Sequence, residues 1–460
     1  MKKLLILSML LLACGGDETS PAQSLPADTA LDIADPEVDS TSEEPPASPL
    51  HAGRVTDADD LIGGDGAYGQ VDRAWIIKND AARFLIQDVG VAVGLNLYGG
   101  NLIDADVVRP DGEPGNDLFR EIFPSAGFLV LAPDKISVVE DGSAGDRAVL
   151  RVEGSLEKSR IVELLDNVAE ESPLTARQDY ILEAGSRTLR MVTTLYNPNA
   201  GNMAVTVGDF LGFGDSLVLF SQEAGFDSPE AAGATGFIAA RGHGVSYAYG
   251  TPSGTLTFPF SDSSGTFGIL DYGFVVPSMG ESSFERLFAV GGGSIAEVID
   301  EVVRIRQEPR GLITGSVTDA SGSPIAGVMV TSIAPDEDAE NQALTDAQGR
   351  YEMTAKAGSL VMVASAPGRL RSSTTTVEIT QDETVVVDLT IGERAKIQVR
   401  YTTDGKRPNR GESDPVKVSL EALESELPDP RLGEFDISGQ RAMEFLGGGH
   451  DEFWVKPGTY

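Results

Sequence analysis

Apolar and polar residues alternate in short runs along most of this chain, and turn-forming residues bound the runs. Ala74-Trp75-Ile76-Ile77 and Arg83-Phe84-Leu85-Ile86 flank Lys78-Asn79-Asp80, the pattern of two strands joined by a tight turn. Residues 136–139 and 148–152 flank Asp141-Gly142-Ser143-Ala144-Gly145-Asp146, and residues 178–182 and 188–196 flank Glu183-Ala184-Gly185-Ser186. Successive side chains on a strand point to opposite sides. In the last of these runs Leu189, Met191, Thr193 and Leu195 therefore share one face, and Arg190, Val192 and Thr194 the other. Half-buried strands of this kind, repeated through residues 51–310, predict a mainly β domain built as a large antiparallel β-sandwich.

One segment has the helical period instead. Ile295, Val298, Ile299, Val302 and Val303 form an apolar stripe that begins at Ser294-Ile295-Ala296-Glu297, the spacing of a capping box. Arg304 and Arg306 suit the negative end of a helix, and Pro309 stops it soon after. The reading is a helix that closes the first domain, with the boundary at its end.

Residues 311–393 change character. Gly315-Ser316-Val317-Thr318-Asp319, Gly322-Ser323-Pro324-Ile325-Ala326-Gly327-Val328, Thr345-Asp346-Ala347-Gln348-Gly349-Arg350-Tyr351 and Pro367-Gly368 alternate glycine turns with short strands. These spacings closely resemble the carboxypeptidase regulatory-like domain, a small transthyretin-like β-sandwich. The resemblance implies a non-catalytic module whose fold is grouped with carbohydrate-binding domains, and a fold alone does not fix a function. Residues 394–460 begin a further sandwich-like unit, with Asp404-Gly405 as a turn. The final Pro457-Gly458-Thr459-Tyr460 reads as the start of a late strand, so the expectation is a truncated module in a chain that continues past Tyr460.

The first residues differ from all of this. Lys2 and Lys3 precede an apolar run from Leu4 to Leu12, about half the roughly 20 residues needed to span a bilayer. Leu11-Leu12-Ala13-Cys14 closes the run and resembles the bacterial lipobox, with Leu12 larger than is usual at its position. The resemblance implies a signal peptide over residues 1–13, removed before Cys14, and a diacylglyceryl group on that thiol; two acyl chains suffice for stable anchoring. An ordinary signal peptide with a chance cysteine is the alternative. Residues 14–50 carry acids and prolines without a single Lys or Arg, too little apolar surface to fold, and read as an extended disordered tether. Gly15, Gly16 and Asp17 follow Cys14, so Asp is absent from the position that would suggest inner-membrane retention, which leans the expected location towards the outer membrane of a cell envelope.

Charge and residue counts narrow the chemistry. The net charge is −36, a field that repels phosphate backbones and makes nucleic acid an unfavourable partner. Cys14 is the single cysteine, so neither disulfides nor thiolate metal sites are expected. The three histidines, His51, His243 and His450, fall in no metal-ligand spacing, and there is no G-x-S-x-G elbow, phosphate loop or dinucleotide fingerprint. No catalytic residue, metal or cofactor is therefore assigned.

The candidate ligand-binding residues are Asn101, Asp104 and Asp106. Paired Gly99 and Gly100 allow close backbone approach, and two same-face carboxylates suit a calcium ion or a sugar hydroxyl. The alternative is a glycine turn followed by a strand bearing solvated acids. Asp336-Glu337-Asp338 with Glu340 reads as a solvated loop, His243 as a surface-turn residue, and His450-Asp451-Glu452 is treated in the same way.

Two larger resemblances bear on function. The segment 178–190, Gln-Asp-Tyr-Ile-Leu-Glu-Ala-Gly-Ser-Arg-Thr-Leu-Arg, looks like the mutarotase-type supersandwich, whose sheets build a sugar-binding groove and whose enzymes use a His and a Glu as acid and base; neither maps onto a residue here. The order of lipobox, tether, β-domain with "AWIIKNDAARFLIQ" and "GLNLYGGNLIDADVVR", helix and regulatory-like sandwich resembles the N-terminal half of envelope lipoproteins ending in a metallohydrolase of the polymerase-and-histidinol-phosphatase type. The readings that follow are a lipid-anchored binding or presenting scaffold, carbohydrate being the candidate ligand; the accessory half of a surface metallohydrolase; or a mutarotase-like epimerase.

Overall fold

The computed structural model describes residues 50–110, 113, 115–159, 171–214, 217–259, 261–262, 265–335, 338–400, 416–421, 423, 428–434, 442–446 and 450–460. The signal segment, Cys14, the tether to residue 49, and Asp336 and Glu337 lie outside these residues. Among the described residues, eighteen strands join in one antiparallel hydrogen-bonded network that folds over on itself. One layer runs from Leu129–Asp141 through Arg147–Lys158, Thr175–Glu183, Thr188–Tyr196 and Glu281–Gly291 to Ser246–Gly250. The other contains Ala74–Lys78, Ala82–Gln87, Leu102–Val107, Met203–Gly212 and Gly265–Val276. The Glu121–Ala126 strand links them, pairing with Met203–Gly212 and turning into Leu129–Asp141.

The alternation read from the sequence explains the packing. Leu189, Met191 and Leu195 are buried in the core with Phe84, Phe119, Leu150 and Tyr180. Phe119 meets Tyr247 and Phe288 at 5.4 and 5.2 Å between ring centres, and Phe84 of the second layer meets Phe288 of the first at 6.5 Å, so aromatic packing joins the layers. The same core holds a fully buried ion pair. Arg286 donates to both oxygens of Asp209 at 2.6 and 2.8 Å, and Tyr249 donates to the same carboxylate at 2.5 Å. A charge buried this deeply requires such a set of partners. The turn at 79–81 forms as expected: the Asn79 side chain accepts from the backbone N–H groups of Ala81 and Ala82.

The helix spans Ile295–Arg306, and Ile295, Val298, Ile299, Val302 and Val303 are buried against Phe220, Phe237, Ala248 and Leu287. Its start differs from the capping box. The Ser294 hydroxyl caps nothing in its own helix; it accepts from Leu344 N at 3.3 Å and lies 3.5 Å from the Gln342 carbonyl, while Glu297 accepts from Gly292 N. The serine is drawn to the neighbouring sandwich because that sandwich packs against the helix, and Asp300 likewise accepts from Thr354 Oγ1 at 2.6 Å. The helix is thus shared between two modules.

The regulatory-like unit consists of two small sheets over one core. Arg350–Ala355, Gly311–Thr318 and Thr384–Val386 form one, and Ala339–Leu344, Met329–Ile333, Gly358–Ser365 and Thr375–Ile379 the other. Gly315 is required at its position, because a Cβ there would lie 1.9 Å from the Val387 carbonyl oxygen. Further on, Ala395–Arg400 pairs with His450–Val455, and Val416–Leu420 with Ala442–Leu446.

Candidate functional site

The residues singled out from the sequence face inward. Asn101, Asp104 and Asp106 are each fully buried. Asp104 accepts from Tyr68 N and Gly69 N at 2.7 and 2.8 Å, tying down the loop before Ala74–Lys78. Asp106 accepts from Arg109 Nε at 2.7 Å and from Asn116 N at 2.8 Å. Asn101 donates to Glu121 Oε2 at 3.1 Å. The solvated strand is therefore not what forms: loops 57–72 and 115–119 cover both acids, and the carboxylates satisfy those loops' backbone N–H groups.

Burial shifts Asp104 and two neighbouring acids, Asp117 and Glu121, strongly. Desolvation raises Asp104 to about 6 against the two backbone N–H groups that favour its charge. Asp117, which accepts from Ala105 N and the Tyr247 hydroxyl, is raised well above the usual carboxylate range by burial and by the neighbouring Asp104. Glu121, held by Leu95 N and Asn96 N, rises to about 7 for the same desolvation. Among the described residues, no group of three or more His, Cys, Asp or Glu side chains is placed to hold a metal ion. The cluster is an internal clamp for three loops.

The other flagged groups separate. His243 is exposed in the turn between Phe237–Arg241 and Ser246–Gly250, where Gly242 N donates to Val245 O. Glu340, expected on a solvated loop, is buried and pairs with Arg310 at 2.7 Å, because Ala339–Leu344 is a strand packed on the helix rather than a loop. Glu452 pairs with Lys396 across two strands.

A site that sequence inspection missed lies on the outer face of the first layer. The register places Glu153 opposite Arg177, Arg177 opposite Thr194, Thr175 opposite Tyr196, and Tyr196 opposite Glu281, so these side chains share one face of four adjacent strands. Together with Lys135 they line a groove of about 530 Å³. Its edge is built by an irregularity: the pairing of Leu129–Asp141 with Arg147–Lys158 shifts between Pro133 and Lys135, and both Asp134 and Lys135 reach the groove. Such bulges re-aim side chains. Gly154, opposite Pro133, has no room for a side chain, since a Cβ there would meet Ala132 O at 2.0 Å.

The neighbouring charges show which groups remain available. Arg151 is committed to Asp179 by two bonds of 2.7 and 2.8 Å, and Arg190 to Glu285 at 2.7 Å. Arg177 is held loosely, 3.9 Å from both Asp179 and Glu281 and 3.4 Å from Thr194 Oγ1. The groove thus offers an aromatic ring, a loosely held guanidinium, an ammonium and carboxylates at close quarters: donors and acceptors for a ligand rich in hydroxyls, with a flat apolar surface beside them. The signal in the sequence was the polar set on alternate positions, Arg151, Glu153, Arg177 and Asp179, with Pro133-Asp134 interrupting a strand; only cross-strand register assembles it.

A larger groove of about 710 Å³ lies where the helix meets the regulatory-like unit, and its lining includes the carboxylates of Glu297, Asp300, Glu352 and Asp388. Tyr351, which also lines it, is buried with its hydroxyl given to Val387 O, and Arg350 in its wall is paired with Asp346.

Residues 312–392 match the family described as the carboxypeptidase regulatory-like domain. No curated protein matches the chain. Among solved structures, the chain is similar to an α-galactosidase from Lactobacillus brevis, with 9% identity and a TM-score of 0.33 over 53% of this chain and 44% of that one. A GH36 α-galactosidase from Geobacillus stearothermophilus gives 7% identity and a TM-score of 0.34, over 54% and 46%. A protein assigned by name to the aldose 1-epimerases, from Escherichia coli K12, gives 11% and 0.30 over 48% of this chain and 99% of that one. The match thus spans less than half the length of these galactosidases. At these scores the likenesses carry no conclusion about this chain.

Proposed function

We propose that this chain is a non-catalytic binding scaffold of a bacterial envelope, anchored through lipidated Cys14, and that its large sandwich holds a carbohydrate in the sheet-face groove. The observation that carries the proposal is the placement of Tyr196 beside Arg177, Glu153 and Glu281 on one face. A pyranose presents an apolar C–H face and a rim of hydroxyls. Tyr196 suits the first, while carboxylates accept and Arg177 and Lys135 donate to the second. The mix of both charge signs suits a neutral polyol, and the net charge of −36 together with the groove acids opposes a highly anionic ligand.

The run of like charges in residues 14–50 supports the reading of presentation at a distance, since charged linkers self-repel. Lipidation is tested by mass spectrometry of the mature protein: an N-terminal diacylated Cys14 is expected, and an unmodified Cys14 would overturn the anchor. The binding claim is tested by probing the full chain against a polysaccharide panel. Binding to at least one neutral glycan is expected, weakened on the order of tenfold, about 1.4 kcal/mol, in Tyr196→Ala. Silence across the panel would defeat the carbohydrate reading.

A further inference from the structure

Residues Asp429–Glu434 lie in the seam between the large sandwich and the regulatory-like unit. Pro430-Arg431-Leu432 forms one tight turn capped by Asp429, whose side chain accepts from Arg431 N, and it ends on Gly433 at φ 67°. Leu432 is 1% exposed and packs on Ile333 and Val363 of the regulatory-like unit, and its carbonyl accepts from Gln342 Nε2 at 3.0 Å. On the opposite side, Gly433 O accepts from Arg241 Nη2 of the large sandwich at 3.2 Å. A Cβ on Gly433 would come 2.9 Å from the Phe226 ring, so only glycine allows this approach.

The next residue completes the junction. Glu434 pairs with Arg371 of the regulatory-like unit at 2.5 Å and with Lys456 of the C-terminal strands at 3.3 Å, and it also accepts from Asp429 N. Arg241 stacks over Phe226 at 5.7 Å. Six residues therefore touch all three modules through one apolar anchor, two backbone carbonyls and one carboxylate. Pro428 and Pro430 restrict the segment before it docks, which lowers the entropy lost on docking.

We propose that Asp429–Glu434 is an interdomain strap that couples the C-terminal module to both upstream modules and makes them move as one body. With the strap seated, Ile333 and Val363 are covered and Arg241 has a carbonyl partner; with it released, an apolar seam opens and the C-terminal module is freed from the large sandwich. Lone modules strung on linkers would require none of these contacts.

Hydrogen exchange on the full chain tests this with three variants. Leu432→Asp and Glu434→Arg should each speed exchange at the seam amides, those of Ile333, Gln342 and Phe226, several-fold. The sandwich-core amides of Tyr180 and Met191 should stay as protected as in the parent, which separates release of the strap from misfolding. The swap of Arg371→Glu with Glu434→Arg should recover part of the lost protection. Unchanged seam exchange in Leu432→Asp, or equal acceleration in seam and core, would overturn the strap.

Discussion

Asp104 and Glu121 bind protons more readily in the folded chain than in an unfolded one, near 6 and 7 against ordinary values of 3.8 and 4.5. A raised folded value means that protonation favours the native state. Their contribution is therefore complete below about pH 4 and is lost as pH rises through 6 and then 7. At 1.36 kcal/mol per pH unit, gaps of this size put about 3 kcal/mol on each group. Glu121→Gln should flatten the fall in Tm between pH 5 and 8 measured by calorimetry, and an unchanged slope would contradict the assignment. Asp209 is held differently, with Arg286 donating to both of its oxygens inside the core. Asp209→Ala strands Arg286 in the core and should cost about 3–5 kcal/mol in a denaturant titration; a loss below 1 kcal/mol would show that water reaches that site. Residue types alone did not reveal either role. Asp104-Ala105-Asp106 has the spacing of a same-face pair and keeps it, but the covering loops come from residues 57–72 and 115–119, which no local pattern places above that strand.

Strands and helix were legible where periodicity was strong. The hairpins at 79–81 and 184–187, the inward face of Thr188–Tyr196 and the stripe of Ile295–Arg306 all follow from alternation or the 3.6-residue period. What periodicity could not supply was register between strands distant in sequence, such as Tyr196 opposite Glu281. Nor could it show that Ser294 would leave its own helix for Leu344, a choice made by tertiary packing. The groove depends on one such element-level feature, the shift after Pro133 opposite Gly154. Gly154→Ala would drive a methyl into Ala132 O and force the two strands apart. Overpacking of this kind costs about 1–3 kcal/mol, and glycan binding should fall with the loss of stability. A variant of parental Tm and parental affinity would show that the irregularity does not shape the site.

At the scale of the molecule, a layered sandwich, a shared helix, a regulatory-like unit and a strap hold one polar sheet face open to solvent while the opposite face supplies the core. That division explains why so acidic a chain keeps Arg151, Arg177 and Arg190 together on one surface: each balances acids across adjacent strands, and Arg177 is the one held most loosely. Ligand binding is therefore assigned to that face. Its most direct test is calorimetric titration of the full chain, Tyr196→Ala and, as a control in the acidic junction groove, Asp388→Asn, with the tightest-binding neutral oligosaccharide from the panel. A roughly tenfold weaker Kd is expected for Tyr196→Ala, and parental affinity for Asp388→Asn. Parental affinity in Tyr196→Ala, or a loss confined to Asp388→Asn, would contradict that assignment.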